Sequence, residues 1–303
     1  MSVVLLSGGT GGAKLARGLY DIVGAELAVI ANTGDDIQIY SAHVSPDPDL
    51  ITYWLADRID ERGWGLAGDT FAAMAMLREL GVDVWFNLGD GDLALCLERR
   101  RLLDDGLSAT EAHARLAAAL GIRARVLPMS DQPVLTRIRT RGAWVGLQEF
   151  MIRLGAGAPI EDVEFAGAED AVPSPAVLAA IADARAIIVG PSNPVISIGP
   201  IIALPGLREA LAAAGAPIVA VSPIVAGAVL KGPTAECLAW AGLPASTQGV
   251  ARFYEGLLDG IVSDDPAGDI ASLRCETLMS NAEQRRLVAE RALELSESLA
   301  RPS

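Results

Sequence analysis

The feature that most constrains the fold of this chain is a short apolar run that leads through four glycines into a helix. Ser2–Ser7 has the composition of a buried strand, and Lys14–Val23 has apolar residues at helical spacing. The glycines lie between them, within Gly8–Lys14. A buried strand joined to a helix by a glycine-rich loop is typical of the first crossover in a parallel α/β sheet.

This alternation of strand and helix continues along most of the 303 residues. Further strands are predicted at Glu26–Ala31, Val84–Asn87, Ala186–Val189 and Pro217–Val221, with one more before the last helix. Helices are predicted at Leu50–Arg62, Asp69–Leu80, Leu93–Asp104, Ser108–Leu120, Pro175–Ala184, Leu207–Ala213, Thr234–Ala241, Ser246–Leu258 and Asn281–Leu299.

The middle of the chain has shorter β-type runs, at Arg123–Leu127, Val134–Arg139 and Ala143–Gln148. Such runs are typical of a small antiparallel insertion. We therefore predict one α/β domain over residues 1–303, with a β-rich insertion at about 122–170. Its core is predicted to be a three-layer, Rossmann-like arrangement in which a mostly parallel sheet carries helices on both faces.

The composition of the chain excludes several classes of partner. It has 38 Asp and Glu against 24 Lys and Arg, so we expect no nucleic-acid partner. The most apolar segment, Ala186–Pro205, contains four prolines, so we expect no membrane span. Three scattered cysteines (Cys96, Cys237 and Cys275) are typical of reduced thiols, and the N-terminus is unlike a signal peptide. These observations predict a soluble, cytoplasmic protein.

The glycine-rich segment is also the first candidate binding site. Glycines let a backbone approach a ligand closely, and a helix N-terminus offers amide groups to an anion. The segment lacks the Ser or Thr that follows the lysine of a P-loop, and Lys14 stands where the dinucleotide fingerprint has its third glycine. Only two lysines occur in the chain, Lys14 and Lys231, and both lie near glycines. We predict a phosphate site formed by Gly8, Gly9, Thr10, Gly11, Gly12 and Lys14.

Pairs of carboxylates form the second candidate site. They follow predicted strands or lie shortly after them, at Asp35-Asp36, Asp47 with Asp49, and Asp90 with Asp92. Strand carboxyl ends face the binding crevice of an open parallel sheet, and Mg²⁺ favours carboxylates together with phosphate oxygens. The alternative is that each Asp serves a turn or a helix cap. The two histidines, His43 and His113, are isolated in sequence, and His113 is expected on the surface of its helix.

A proline-rich segment after the strand at Ala186–Val189 is the third candidate. Gly190–Pro200 contains Ser192, Asn193 and Ser197 between its prolines. Prolines restrict the backbone, so these side chains are predicted to form a preorganised polar pocket.

Taken together, these segments resemble the 2-phospho-L-lactate transferase family of coenzyme F420 biosynthesis. The similarity covers nearly the whole chain and lies in Ser-Gly-Gly-Thr-Gly-Gly-Ala-Lys, Asn-Thr-Gly-Asp-Asp, Ser-Pro-Asp-Pro-Asp, Leu-Gly-Asp-Gly-Asp, Leu-Pro-Met-Ser-Asp, Gly-Pro-Ser-Asn-Pro and Ser-Ile-Gly-Pro. The resemblance implies transfer of a phospholactyl or phosphoenolpyruvyl group from its guanosine diphosphate ester to a ribityl deazaflavin. GMP is released, and Mg²⁺ is required.

The resemblance also implies roles for individual residues. Asp49 and Asn87 are expected at the deazaflavin, Asp36 and Asp49 at the metal, and Asp49 is the expected catalytic residue. The remaining expected binding residues are Asn32, Ser192, Asn193 and the glycine-rich segment. We also expect a homodimer. The alternative within the superfamily is a regulatory protein that binds a nucleotide-sugar without turnover.

The chain departs from the family pattern around Asp49. The family usually shows Pro-Asp-Leu-Asp-Thr, where this chain has Pro48 and Leu50 on either side of Asp49, and Gly91 replaces an arginine. Cys96 lies where a histidine is common, and Asn87 occupies a position where a basic side chain occurs. These departures remove positive charge from the expected acceptor site.

Overall fold

The computed structural model describes residues 1–230 and 232–300, so the predicted role of Lys231 lies outside the described residues. The strands in these ranges are β1 (Ser2–Ser7), β2 (Leu27–Ala31), β3 (Ile37–Ile39), β4 (Ala42–Val44), β5 (Arg125–Pro128), β6 (Leu135–Thr140), β7 (Ala143–Gly146), β8 (Asp162–Ala166), β9 (Ala184–Val189), β10 (Ile218–Val221), β11 (Ile224–Val225), β12 (Ala228–Val229), β13 (Gly260–Ser263) and β14 (Ala271–Arg274).

The helices in the same ranges are α1 (Gly9–Val23), α2 (Pro46–Leu55), α3 (Ala72–Glu79), α4 (Asp90–Asp104), α5 (Ala109–Ala119), α6 (Leu147–Ile152), α7 (Pro175–Ala182), α8 (Gly199–Ile202), α9 (Leu207–Ala213), α10 (Thr234–Trp240), α11 (Thr247–Phe253) and α12 (Ala282–Leu299). Short helical turns occur at Gly24–Glu26 and Pro194–Ile198. Ser108 and Glu111 form the capping box that their spacing predicts at the start of α5.

Seven strands form a central parallel sheet in the order β14-β13-β10-β9-β1-β2-β5. Strand β1 lies near the middle, because the chain adds β2 and β5 on one side and β9, β10, β13 and β14 on the other. The predicted α/β fold is confirmed. Three further strands, β6, β7 and β8, form a separate antiparallel sheet within the predicted insertion.

Alternating residues of the central strands fill two separate cores. Val3 and Leu5 of β1 pack with α1, α2 and α12, whereas Val4 and Leu6 pack with α7, α8 and α9. Because successive side chains of a strand point to opposite faces, a parallel sheet covered on both sides needs continuous apolar runs. This requirement explains the uniformly buried β1 and β2. It also confirms the three-layer prediction.

Several predicted boundaries are wrong. Arg125–Pro128 pairs in parallel with β2 in the central sheet, so the antiparallel insertion does not begin at 122. No strand forms at Val84–Asn87, which is an irregular segment. Helix α1 begins at Gly9, so the glycine-rich segment is largely its first turn, not a loop. Helix α2 begins at Pro46 and ends at Leu55, so Asp49 lies inside it. All three cysteines are free, as predicted, and all three are buried.

In the described part of the chain, no single helix is long and apolar enough to cross a membrane. One bent pair, Pro194–Ile202 with Leu207–Ala213, meets that test by length and composition, with an 81° bend.

Gly18 permits close packing of α1 against α12. A Cβ atom at this position would overlap the backbone carbonyl of Arg285, which cannot move without shifting α12. Although alanine favours a helix over glycine, we expect Gly18→Ala to lower the free energy of unfolding by about 2 kcal/mol through overpacking. Urea unfolding measures this difference. Gly157→Ala is the control, since its Cβ would meet only ordinary contacts, and an equal effect of the two substitutions would contradict the packing role.

Candidate active site

The topology places a crevice between the loops that follow β1 and β9. These strands are neighbours in the sheet, yet the chain continues from β1 to one side and from β9 to the other. At such a switch point the following loops turn apart, and ligands of α/β proteins bind between them. The glycine-rich segment follows β1 and Gly190–Pro200 follows β9, so two of the three predicted sites meet here.

Ser192 joins these two loops. The Gly8 amide donates to Ser192 Oγ at 3.2 Å, and the same hydroxyl donates to the Gly8 carbonyl at 2.7 Å. Ser192 is 4% exposed. The buried Ser192 hydroxyl thus both accepts and donates a hydrogen bond, and both bonds go to Gly8. Ser192 therefore fixes the position of the loop after β9 relative to the loop after β1.

The glycines of the first loop have two different functions. A Cβ at Gly11 would overlap the Pro191 carbonyl, and a Cβ at Gly12 would overlap Ser7 Oγ. These two glycines therefore allow the two loops to pack closely against each other. The sequence analysis predicted only that glycines here would let the backbone approach a ligand. Gly9, with a φ of +64°, has no such neighbour and starts α1 in a conformation that favours glycine.

The loops enclose a cavity of about 480 Å³, which we call the glycine-loop cavity. The Gly9 amide is bound by Asp47, whereas the next first-turn amides of α1, those of Thr10 and Gly11, have no acceptor inside the helix and are suited to an anion. Gly12 and Asn32, which were also predicted to bind the ligand, do not line this cavity. The predicted residues that do line the cavity are Gly8, Gly9, Thr10, Gly11, Lys14, Ser192 and Asn193.

Asn193 also shapes its own loop. Its Oδ1 accepts from the amides of Val195 and Ile196, and its Nδ2 donates to Thr234 Oγ1 at 3.3 Å. The side chain therefore caps the helical turn at Pro194–Ile198 while one edge remains at the cavity.

A second cavity, of about 570 Å³, lies beside Asp35 and Asp36 and is called here the acidic cavity. Its walls come from the segment after β2, from β6 and from α6, so the antiparallel sheet forms one side. Apolar side chains such as Trp85, Val134 and Leu147 also line it. An apolar cavity with a few charged groups is the usual form of a small-molecule site.

Asp36 is held at the edge of the acidic cavity by two neighbours. Its Oδ1 accepts from Ser45 Oγ at 2.7 Å, and its Oδ2 lies 3.0 Å from His43 Nε2. The side chain is 17% exposed. His43 is thus not isolated, because the β3–β4 hairpin returns it to the aspartate seven residues earlier in sequence.

Asp47 connects the two cavities. Its Oδ1 accepts from the Gly9 amide at 2.5 Å, and its Oδ2 accepts from Asn32 Nδ2 at 2.9 Å. Gly9 lines one cavity, while Asn32 precedes the segment that lines the other. Burial, with some contribution from the Asp36 charge, raises the pKa of Asp47 to about 6. The group is therefore ionised at neutral pH but close to titration.

Asp35 provides the test of whether a cation fits here. Burial and the charges of Asp47 and Asp36 raise the pKa of Asp35 well above its usual value. One oxygen accepts from Gln148 Nε2, while Oδ1 is buried without a partner among the described residues. A buried carboxylate oxygen without a donor, beside two further carboxylates, suits a divalent cation.

Asp49 is engaged by Arg99. Both oxygens of Asp49 accept from the Arg99 guanidinium, one of them at 2.9 Å, and Arg99 also donates to the His43 carbonyl at 3.0 Å. Both side chains are almost fully buried. The predicted roles of Asp49 as metal ligand and proton acceptor both need its negative charge, which is paired here with the Arg99 guanidinium; these roles stay predictions. The capping alternative is wrong, since Ser45 is the N-cap residue of α2 and Asp49 lies within the helix.

Asp49, Asp92 and Cys96 place potential ligand atoms within 4.8 Å of one another. This cluster does not suit a metal ion. Arg99 occupies Asp49, Tyr53 donates to Asp92 at 2.6 Å, and burial raises the pKa of the Cys96 thiol. Asp90 lies apart from these carboxylates and binds the amides at the start of α3.

His113 is buried, so its expected position on the helix surface is wrong. It is 1% exposed, and its Nε2 lies 3.0 Å from Thr52 Oγ1 on α2. Burial, with the nearby Arg99 charge, lowers the pKa of His113 to about 3. Arg99 on α4 binds Asp49 of α2, and His113 on α5 contacts Thr52 of the same helix. A hint existed in the sequence, because Arg99 and His113 lie on the apolar sides of their helices.

The departures from the family pattern do not lie at either cavity. Asn87 is exposed and accepts from Arg78, and the Gly91 amide donates to Asp69. Leu50 packs in the core beside α1, and Cys96 lies beneath Asp49. None of these four residues lines either cavity in the described structure, and the expected contact of Asn87 with an acceptor stays a prediction.

The fold and the site define a Rossmann-like α/β protein with the glycine-loop cavity at its topological switch point and the acidic cavity beside it. The family model described as 2-phospho-L-lactate transferase CofD matches residues 3–290. The chain belongs to this family and is a transferase. The family resemblance that the sequence motifs indicate is thereby confirmed.

Two relatives illustrate the similarity. A 2-phospho-L-lactate transferase of Methanosarcina mazei is 38% identical over 299 residues, which cover 95% of this chain and 98% of that protein. A phosphoenolpyruvate transferase of Kitasatospora aureofaciens is 41% identical over 319 residues, covering 99% of each chain. A crystal structure of a UPF0052 family member from Bacillus halodurans superposes with a TM-score of 0.65 and 17% identity, covering 96% and 98% of the two chains. That structural likeness shows the fold alone.

The Arg99–Asp49 pair makes a prediction about stability. Removing one partner leaves a buried charge without compensation, so we expect Arg99→Met to lower the free energy of unfolding by about 3–5 kcal/mol. The double variant Arg99→Met/Asp49→Leu should regain most of that loss, because no charge then remains buried. Urea unfolding of both variants at pH 7 measures the difference.

Arg100→Met is the matched control on the same helix, since Arg100 pairs with Asp104 at the exposed surface. We expect it to leave the free energy of unfolding nearly unchanged, because solvent screens an exposed ion pair. If the double variant were as unstable as Arg99→Met, the buried charge would not be the cause.

His113 makes a prediction about pH. Its folded pKa of about 3 lies below the ordinary value of 6.5, so the neutral ring favours the folded state above pH 6.5. As the pH falls from 6.5 towards 3, this contribution is lost at up to about 1.4 kcal/mol per pH unit. We expect His113→Gln to lack this loss. The test is the difference in unfolding free energy between the two proteins from pH 7 to pH 4, and a constant difference would contradict the assignment.

Proposed function

We propose that the protein transfers a phospholactyl or phosphoenolpyruvyl group from its guanosine diphosphate ester to the ribityl hydroxyl of a 7,8-didemethyl-8-hydroxy-5-deazariboflavin, releasing GMP in coenzyme F420 biosynthesis. The observation that carries this proposal is the pair of cavities joined by Asp47. A group transfer between two large ligands needs two adjoining sites whose linings keep a fixed relation to each other.

The nucleotide donor occupies the glycine-loop cavity. Helix α1 directs its N-terminus to this cavity, and Lys14 lines it. Amide groups and an ammonium group stabilise phosphate oxygens even in a protein with a net charge of −14.

The deazaflavin occupies the acidic cavity. Trp85, Val134 and Leu147 supply apolar surface for a flat ring system, while Gln148 and Asp36 supply polar groups. The cavity adjoins Asp35 and Asp36, so the ribityl chain of a bound acceptor extends towards the carboxylates.

Mg²⁺ belongs at the carboxylates of Asp35 and Asp36, with the charge of Asp47 nearby. Asp36 follows the sequence prediction, and Asp35 replaces Asp49, whose oxygens are bound by Arg99. When bound, the ion neutralises phosphate charge that develops as GMP leaves. Asp49 then acts as a positioning residue that holds α2 and the β3–β4 hairpin through Arg99.

The reaction follows from this arrangement. The ribityl hydroxyl oxygen forms a bond to the distal phosphorus of the donor, and the bond from that phosphorus to the GMP oxygen breaks. The hydroxyl proton passes to a carboxylate of the Asp35, Asp36 and Asp47 group. The amides of Thr10 and Gly11 in the first turn of α1, together with Lys14, bind the phosphate oxygens of departing GMP.

The proposal is tested by incubating the protein with Mg²⁺, the deazaflavin and either activated three-carbon acid. We expect one GMP released for each deazaflavin converted, measured by chromatography. Tight binding of a nucleotide-sugar without GMP release would instead support the regulatory alternative.

Asp36→Asn extends this test to the metal. Loss of one ligand charge should raise the Mg²⁺ concentration for half-maximal turnover by about tenfold or more. Asp90→Asn is the control, since Asp90 lies at the start of α4 and binds amides of α3. An unchanged Mg²⁺ requirement in Asp36→Asn would contradict the metal assignment.

A further inference from the structure

Trp64 is an exposed aromatic side chain at the glycine-loop cavity. It is 61% exposed, and it lines the same cavity as Gly9, Thr10 and Lys14. It belongs to the segment between α2 and α3. A large indole surface left in water favours burial by a ligand, because covering apolar area is favourable.

The loop that carries Trp64 is rigid. Asp60 Oδ1 accepts from the amides of Gly63 and Trp64, at 2.9 and 3.3 Å. Backbone hydrogen bonds from Asp60 to Gly65 and from Ala67 to Arg58 close the loop as a narrow hairpin. Gly63, with a φ of +85°, allows the turn at its tip. These hydrogen bonds favour one conformation of the loop, and such preorganisation lowers the entropic cost of binding a ligand.

The loop also keeps a defined position beside the phosphate-binding turn. A Cβ at Gly63 would lie 3.9 Å from Thr10 Cγ2, so the tip of the hairpin is close to the first turn of α1. Ile59, at the base of the loop, packs against the core that contains α1 and α2. Trp64 therefore lies at a fixed position next to the groups that bind phosphate.

We propose that Trp64 stacks on the nucleobase of the activated donor and contributes base-dependent affinity. This inference rests on the proposed function of the glycine-loop cavity. An indole stacks on any base, so the ligand it recognises is a nucleotide with an aromatic base attached to its phosphates. The amides and Lys14 bind the phosphates, whereas Trp64 provides the contact that pyrophosphate lacks.

The test compares ligands with and without a base. Calorimetry with GDP and with inorganic pyrophosphate, both in the presence of Mg²⁺, is performed on the parent protein, Trp64→Ala and Trp64→Phe. We expect Trp64→Ala to weaken GDP binding about 10- to 100-fold, and Trp64→Phe to weaken it less, with pyrophosphate affinity unchanged. GDP should also quench tryptophan fluorescence in the parent protein and quench it much less in Trp64→Phe.

Trp240→Ala is the matched control, because Trp240 is also exposed and lines neither cavity. Unchanged GDP affinity in Trp64→Ala would overturn the stacking role and leave the donor site intact. Equal weakening of GDP and pyrophosphate would also overturn it, because Trp64 would then act on the phosphate site. If the parent protein bound neither ligand, the proposed donor cavity would itself be wrong, and the stacking role with it.

Discussion

The site depends on one buried carboxylate, that of Asp47. It accepts from the first amide of α1 and from Asn32 after β2, so it ties together the ends of the two central strands. Burial makes this ionised group costly, as the raised pKa of about 6 shows. The two hydrogen bonds from Gly9 and Asn32 offset part of this desolvation cost. The same bonds let the carboxylate fix the position of one cavity relative to the other. Placed at a helix N-terminus, its charge also benefits from the helix dipole.

A second buried interaction, between Arg99 and Asp49, helps to fix the position of Asp47 because both aspartates lie on α2. Arg99 holds Asp49 on α2 and the carbonyl of His43 at the β3–β4 hairpin. Both Asp47 and Asp49 lie in the first turn of α2, so the position of this helix determines the geometry of both. His113 adds a neutral partner to Thr52 one turn later. The acidic cavity thus rests on charges and polar groups that are paired inside the protein.

Local patterns predicted much of this molecule. Buried strands of a parallel sheet are continuously apolar, so β1, β2, β9 and β10 were placed within two residues of their ends. The Ser108 capping box and the limits of α9 followed from local capping and periodicity. The motifs also identified the family, because residues near strand ends are set by the site they form. The sequence analysis assigned the short β run at Arg123–Leu127 to the insertion, whereas Arg125–Pro128 pairs with β2 in the central sheet. A short β run alone does not indicate which strand it will pair with.

The sequence by itself determined the alternation of elements, the glycine and proline loops after β1 and β9, and the acidic segments near their ends. These are local properties, set by backbone preference and by the periodicity of apolar residues. Only the tertiary structure decided which charged groups share one environment. Arg99 lies 50 positions from Asp49, and the β3–β4 hairpin returns His43 to Asp36. Contacts between distant residues, and the burial that shifts their pKa values, depend on how helices pack on the sheet. No local pattern contains that information, which is why Asp49 was assigned to the metal and the structure paired it with Arg99.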